Sequence, residues 1–192
     1  MSLARGRPAR GQGIARDEIL AAALDLLGEE AGQALTMRAL ATRLGVTPMS
    51  LYRHVGDQAG LLRALADRVY AQALEGLGEC ADERAQIRAL LTRYHHAVGR
   101  YPQLTLAIFA TPQAFAGVTQ EITERLTALL QRITDQPLLW RDILVDHAHG
   151  SGLALAAAPA QIEAMAQQYG LALDRLLDGL GGAGAIVPLA PV

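Results

Sequence analysis

The chain of 192 residues has no lysine, a single cysteine, few aromatic residues (4%) and a net charge of only -2. A lone Cys80 excludes an intrachain disulfide and fits a reducing compartment. The longest apolar run, near Gly152 to Ala160, falls far short of the roughly 20 residues a membrane span needs. The stretch from Met1 to Gly13 has no apolar h-region, so it does not read as a secretory signal. A soluble, cytoplasmic protein with no membrane partner is the expectation. Scarce aromatics beside abundant Ala, Leu and Arg favour helix over strand. An apolar share of 51% excludes wholesale disorder and supplies a packed core. No alternating run marks a sheet, and no repeat of fixed period is present.

Near-neutral charge taken alone argues against a nucleic-acid partner, but the distribution matters more than the sum. Residues 1–16 hold Arg5, Arg7, Arg10 and Arg16 and no acid, whereas from residue 56 onward 10 Arg face 14 Asp and Glu. A basic end therefore precedes an acidic body. Genome composition explains the use of arginine alone as well as function does. Arginine also suits bidentate contacts to guanine and phosphate.

Four regions follow from punctuation and periodicity. Residues 1–13, rich in Gly, Pro and Arg, read as a flexible basic arm. Residues 14–56 read as a three-helix head, and residues 57–180 as a helical body opened by a connecting helix over 57–78. Residues 181–192 read as a loose tail. In the head, a first helix is expected from about Arg16 to Ala31, with Asp17 and Glu18 in its first turn and Gly32 as its stop. Thr36 caps a second helix through Leu44, and Gly45 ends it. Thr47 caps a third, with Pro48 in its first turn and an end near His54 to Gly56. Asp57 then caps the fourth, striped by Leu61, Leu65, Val69 and Ala73. Five more helices are expected over about 82–101, 103–110, 119–133, 137–157 and 159–180.

The informative stretch is LTMRALATRLGVTPMSLYRHV, Leu35 to Val55. Two short helices cross steeply only where the connection is tight and the crossing point small. Gly45 tolerates a positive φ, Ala41 is small at the crossing, and Leu40, Leu44, Val46, Leu51 and Val55 supply the shared core. This is a helix-turn-helix, whose second member fits the DNA major groove. Its exposed face reads Thr47, Pro48, Met49, Ser50 and Arg53, with Tyr52 and His54 at the edges. Hydroxyl donors, a methyl-sized contact and a cation suit base and phosphate recognition.

Residues 14–70, through the run LT.R.LA..LGV....LY.HV and the leucine-rich helix after it, resemble the DNA-binding domain of the TetR-type (tetracycline-repressor-like) regulators. Beyond that third of the chain the resemblance lies only in length, helicity and order. It implies that Arg38 reaches a base edge and that Pro48, Met49 and Ser50 face bases. Tyr52, His54 and Thr36 would hold phosphates, and Arg53 would serve base or backbone. Such regulators commonly carry a lysine at the start of the fourth helix to grip a phosphate. Here the stretch is Gly56-Asp57-Gln58, and Gln58 donates a hydrogen bond without charge. One lost phosphate contact predicts a salt slope shallower by about one unit. Arg5 and Arg7, in Arg5-Gly6-Arg7-Pro8, resemble minor-groove hooks, against a plain reading as a solvated tail.

In the body, Gly150, Gly152 and Ala154 to Ala158 make one helix small-sided, which favours it as a homodimer interface. The last helix, with Ile162, Met165, Tyr169, Leu173 and Leu176, would be its partner, and the resemblance implies a four-helix dimer bundle. The competing reading is ordinary intrachain core. A pocket for a small hydrophobic effector is likewise implied, with Tyr94, Leu104, Ile108, Phe109, Phe115, Leu126, Trp140 and His147 as candidates to line it. Asp142, Asp146 and His149 share a helix face, which suits a metal or acid–base cluster, a dimer seam or a solvated stripe. His95 and His96 point about 100° apart and do not easily share a metal ion. Ser151 lacks a nucleophile-elbow context, and no phosphate-binding glycine loop follows a strand. The fold expected is all-α, the function ligand-responsive control of transcription from a palindromic double-stranded DNA operator, most often by repression. No enzyme activity, cofactor or metal is expected. Two alternatives stay open: a DNA-binding structural protein that senses nothing, and an enzyme on the helical body.

Overall fold

A computed structural model of the chain describes residues 14–29, 35–77 and 82–180. The arm with Arg5 and Arg7, the stop at Gly32, Cys80 and the tail over 181–192 lie outside the described residues. Among the described residues the protein is all-α, with no strand. Its helices are α1 (Arg16–Gly28), α2 (Met37–Leu44), α3 (Pro48–Val55), α4 (Gln58–Tyr70) and α5 (Glu83–Arg100). Then come α6 (Pro102–Phe109), α7 (Val118–Leu130), α8 (Pro137–Ala157) and α9 (Ile162–Gly179). The chain divides into two compact units, Met1–Leu61 and Leu62–Val192, so the division falls inside α4, a turn beyond the junction expected at residue 57.

Four ends differ from the sequence expectation, one of them that of α7, which stops at Leu130 rather than near Ile133. The first helix stops at Gly28 rather than near Ala31. The fourth is α-helical only to Tyr70 and tightens into a 3-10 turn over Ala71–Leu74, although Ala73 keeps its buried place. The last begins with a 3-10 turn over Pro159–Gln161 before α9.

In the first unit α1 buries Ile19, Leu20, Ala23 and Leu26. Against them lie Met37, Leu40 and Ala41 of α2 and Leu51 and Val55 of α3. Leu44 and Val46, expected in this core, are only half-buried. A fully buried leucine contributes about 2 kcal/mol, so Leu40 and Leu51 together outweigh any cap in this head. Thr36 caps α2 as expected, its Oγ1 accepting from the Ala39 N–H at 3.1 Å. Gly45 closes it at φ 65°, a left-handed conformation that costs a Cβ-bearing residue strain.

In the second unit α5 is the central helix, burying Ile87, Leu90, Leu91, Tyr94, His95 and Val98. Its closest partner is α8, which turns Leu144, Ala148, Gly152 and Leu155 inward. A Cβ built on Gly152 would lie 2.7 Å from Val98 Cγ1, and one on Gly99 would lie 2.6 Å from Leu155 Cδ1. Gly152 is thus spent on intrachain packing, which corrects its assignment to a dimer face. Asp67 of α4 caps α7: its Oδ1 accepts from the Val118 N–H at 3.0 Å.

Candidate functional site

Two sites are built, one in each unit. In the first, α2 and α3 present the polar face expected of a helix-turn-helix. The turn between them is fixed by the Val46 N–H donating to the Ala41 carbonyl at 3.0 Å. Packing of Leu51 and Val55 inward leaves the opposite face of α3 in solvent. Thr36, Arg38, Thr47, Pro48, Tyr52, Arg53 and His54 are exposed, and Met49, 69% exposed, is the most open large apolar residue among the described residues of this unit. Ser50 is half-buried, and its hydroxyl pairs with that of Thr47 at 3.1 Å. Thr47 occupies the N-cap position of α3, but its side chain caps no backbone N–H, contrary to expectation. Arg43 is held in an ion pair with Glu29, whereas Arg38 and Arg53 form none among the described residues.

Gln58 sits differently from the sequence expectation. Its Nε2 donates to the Leu35 carbonyl at 2.6 Å, tying the start of α4 to the start of the helix-turn-helix. The adjacent Asp57 Oδ1 accepts from the Gly60 N–H at 2.7 Å. Both side chains of this corner are therefore committed to holding the head together.

The second site is a cavity of about 220 Å³ in the second unit. Tyr94, Ile108, Phe109 and Phe115 line it, as the sequence suggested, together with Tyr70, Thr105 and His149, among others that the sequence did not. Four expected residues lie elsewhere. Leu104 and Leu126 are fully buried core, Trp140 packs beside Gly179 of α9, and His147 stacks on Tyr169 at 5.0 Å. The reason is the phase of α8. With Ala148 turned to α5, residues 147 and 149 fall about 100° to either side. His149 thereby enters the cavity and His147 faces α9.

Four polar groups of the cavity form two pairs. Tyr94 Oη and His149 Nε2 are 2.8 Å apart, as are Tyr70 Oη and Thr105 Oγ1. The Phe109 and Tyr94 rings meet His149 edge-on at centroid distances of 4.8 and 5.5 Å. Burial pushes the His149 imidazolium equilibrium below its ordinary value, with Asp146 pulling the other way, so the ring is neutral at pH 7. Burial pushes the Tyr70 phenol up to about 12, partly offset by its bond to Thr105. Tyr94 is raised too, by burial first and by Tyr70 second. No side chain lining the cavity is charged at pH 7.

Asp142, Asp146 and His149 do not form a cluster. Asp142 pairs with Arg141 at 2.6 Å on the surface, Asp146 is exposed, and His149 turns to Tyr94. Among the described residues no group of three or more His, Cys, Asp or Glu is arranged to hold a metal ion. Ser151 Oγ is 3.1 Å from His95 Nε2, and His95 stacks on Tyr169 at 3.7 Å. Among the described residues, no helix is long and apolar enough to cross a membrane.

With this geometry in place, comparison with known proteins is decisive for the head. Residues 19–65 match the profile of the family described as bacterial regulatory proteins, tetR family. The N-terminal head belongs to the tetR family. No curated protein sequence matches the chain. Among solved structures, BioQ of Mycobacterium smegmatis is 26% identical with a TM-score of 0.74, over 89% of this chain and 100% of that one. A crystal structure of BioQ with its natural double-stranded DNA operator is 26% identical with a TM-score of 0.71, over 88% and 99%. A TetR variant (Q116A) from Acinetobacter baumannii AYE in complex with minocycline is 25% identical with a TM-score of 0.66, over 86% and 96%. The likeness in fold thus extends beyond the head over nearly the whole chain, and a protein carrying this tetR-family head is a DNA-binding regulator.

Proposed function

We propose that the chain is a homodimeric repressor that binds a palindromic operator and leaves it when a small hydrophobic effector enters the cavity of the second unit. The observation that carries the DNA part is the solvent-facing side of α3, where Met49, Tyr52, Arg53 and His54 stand free around a helix whose other side is fully packed. In this reading Pro48, Met49 and Ser50 touch bases from α3, and Arg38 reaches a base edge from α2. Thr36, Tyr52 and His54 hold phosphates, Thr47 lies on the same exposed face, and Arg53 serves base or backbone. Gln58 acts indirectly, by fixing the corner that presents them. The DNA-bound BioQ structure supports this use of the head, and the minocycline-bound TetR supports an effector in the body.

Dimerisation follows from geometry. A chain of 20.4 kDa carries one head, and two half-sites on one face of DNA need two heads about 34–36 Å apart. An effector that prefers a different head spacing lowers DNA affinity by linkage.

Fluorescence anisotropy with the promoter DNA beside the gene itself, against random duplex and at two salt concentrations, tests the proposal. Two chains per site, bound at least a thousandfold tighter than to random DNA, is the expected result. Arg38→Ala should weaken specific binding by about 1–3 kcal/mol while changing random-duplex binding little. Weak, competitor-insensitive binding that Arg38→Ala leaves unchanged overturns it for that promoter.

A further inference from the structure

The chemistry of the cavity narrows what can occupy it, and only the identification of this cavity as the effector site rests on the proposed function. Its walls are supplied by five helices, α4 to α8. Aliphatic Ile108, Ile122 and Val145 lie among the rings of Tyr70, Tyr94, Phe109 and Phe115. Phe109 and Phe115 are each about half exposed, at 52% and 51%, so their ring faces are open to a partner. Aromatic rings favour offset or edge-on contact with another flat ring, a geometry Phe109 already makes with His149. An apolar cavity of about 150 Å³ takes up benzene. On that scale 220 Å³ admits a substituted ring or two fused rings.

The same walls exclude charge. The lining holds no arginine, aspartate or glutamate, and burial keeps His149 neutral. An ionised ligand would give up its water with no opposite charge in return. Hydrogen bonding is nevertheless available, and it is most adaptable at one place. Thr119 Oγ1 donates to the Ala116 carbonyl and Thr123 Oγ1 to the Thr119 carbonyl, so both keep only acceptor capacity, and Thr105 and Tyr70 share one bond. The Tyr94–His149 pair alone among these includes a ring that can move its proton. With the His149 proton on Nδ1, the Tyr94 hydroxyl donates to Nε2 and its oxygen remains an acceptor. With the proton on Nε2, His149 donates to Tyr94 and the phenol proton is released to another acceptor. The pair can thus answer either a hydroxyl or a carbonyl by moving one proton between ring nitrogens.

We infer that the cavity takes an uncharged, flat aromatic molecule of one or two rings whose single hydroxyl or carbonyl group bonds to the Tyr94–His149 pair.

Calorimetric titration of the full chain with three probes of one shape tests this: 1-naphthol, naphthalene and 1-naphthoate, at pH 7.5. The expected result is one 1-naphthol per chain, bound at least tenfold tighter than either naphthalene or 1-naphthoate. In His149→Leu the advantage of 1-naphthol over naphthalene should shrink below threefold. His149→Gln keeps a donor and an acceptor and should retain most of it. Naphthalene binding by both variants reports that the cavity survives the substitution, and the selectivity of the unaltered protein stands without them. Binding of 1-naphthoate as tight as 1-naphthol, an undiminished naphthol advantage in His149→Leu, or no naphthol binding by the unaltered protein each overturns the inference. None of these titrations contains DNA, so failure to find an operator leaves their outcome intact, and their failure leaves the operator reading intact.

Discussion

His95 shows how one buried side chain couples the body of the protein to pH. It is fully buried on α5, its ring lies flat against Tyr169 at 3.7 Å, and Nε2 meets Ser151 Oγ. Its Nδ1 has no partner among the described residues, so a second proton would find no acceptor there. Burial first, then the neighbouring His96 and His147, push its titration down from 6.5 to about 4. Between those values the unfolded chain binds a proton at this position and the folded chain does not. The stability is therefore fully present above about pH 6.5 and is lost as pH falls toward 4. Linkage makes the loss about 2 kcal/mol between pH 7.5 and 5. His149, lowered by burial as well, acts in the same direction. His95→Phe keeps a flat ring against Tyr169 and removes the proton, so its urea-unfolding free energy should fall by about 2 kcal/mol less over that interval. An equal fall in both proteins would show that His95 contributes none of the pH dependence. Gln58 marks the other limit of residue-level reasoning. As a hydrogen-bond donor it was legible in the sequence. Its acceptor, the Leu35 carbonyl 23 positions earlier, is set by tertiary packing that no local pattern encodes.

Among the elements, α2 was the most legible and α8 the least. Thr36, Gly45 and Pro48 fix their boundaries through cap chemistry that acts within one turn, so α2 and α3 fall where the sequence put them. The extent of α8 was equally legible, because Pro137 opens it and Pro159 follows it. Its rotation was not. Small residues lie on two of its sides: Gly152 turns inward beside Leu144, Ala148 and Leu155, while Gly150, Ala154 and Ala157 turn out. Smallness signals a close approach without saying which neighbour approaches. That one ambiguity exchanged the places of His147 and His149 and so blurred the cavity. Leu104 and Leu126 were misplaced for a related reason, since periodicity separates inside from outside but not filled core from empty space. The inward side has a measurable consequence. Gly152→Ala puts a methyl 2.7 Å from Val98 Cγ1 and 3.1 Å from the His95 carbonyl, so α5 and α8 must part. Overpacking of this kind costs about 1–3 kcal/mol, more than the helix propensity gained from losing a glycine. The double variant Gly152→Ala/Val98→Ala should recover part of that loss in urea unfolding, because it removes the methyl groups in the way. A Gly152→Ala protein as stable as the original would mean that the two helices are not in this contact.

For the molecule as a whole, the outward side of α8 matters more. Leu139, Ile143, Asp146, Gly150, Ala154 and Ala157 are all exposed and follow one another at spacings of three and four, a stripe with a single charge. A stripe of that length left in water would be an unusual surface for a monomer. On α9 the exposed series Ala164, Gln168, Leu171, Arg175 and Asp178 is more polar, with Leu171 70% exposed. The proposed dimer covers the α8 stripe, and Gly150 gives a clean way to test it. A Cβ at Gly150 would meet no other atom within 4 Å inside one chain. Gly150→Arg therefore leaves the protomer's own packing untouched, gains helix propensity, and places a cation one turn from Asp146, an arrangement that mildly stabilises an isolated helix. Inside a dimer seam the same guanidinium is a bulky charge without water, and a pair of them faces across the twofold axis. The expected outcome is a folded, thermally competent monomer near 20.4 kDa in sedimentation velocity at micromolar concentration. Losing the second head removes the effective concentration that joins the two half-sites, so operator affinity should fall by about 10²–10⁴-fold while each head remains intact. A variant that still sediments as a dimer moves the interface off this stripe. A monomer that binds the operator as tightly as before would show that one head suffices, and the argument from paired half-sites would fail with it.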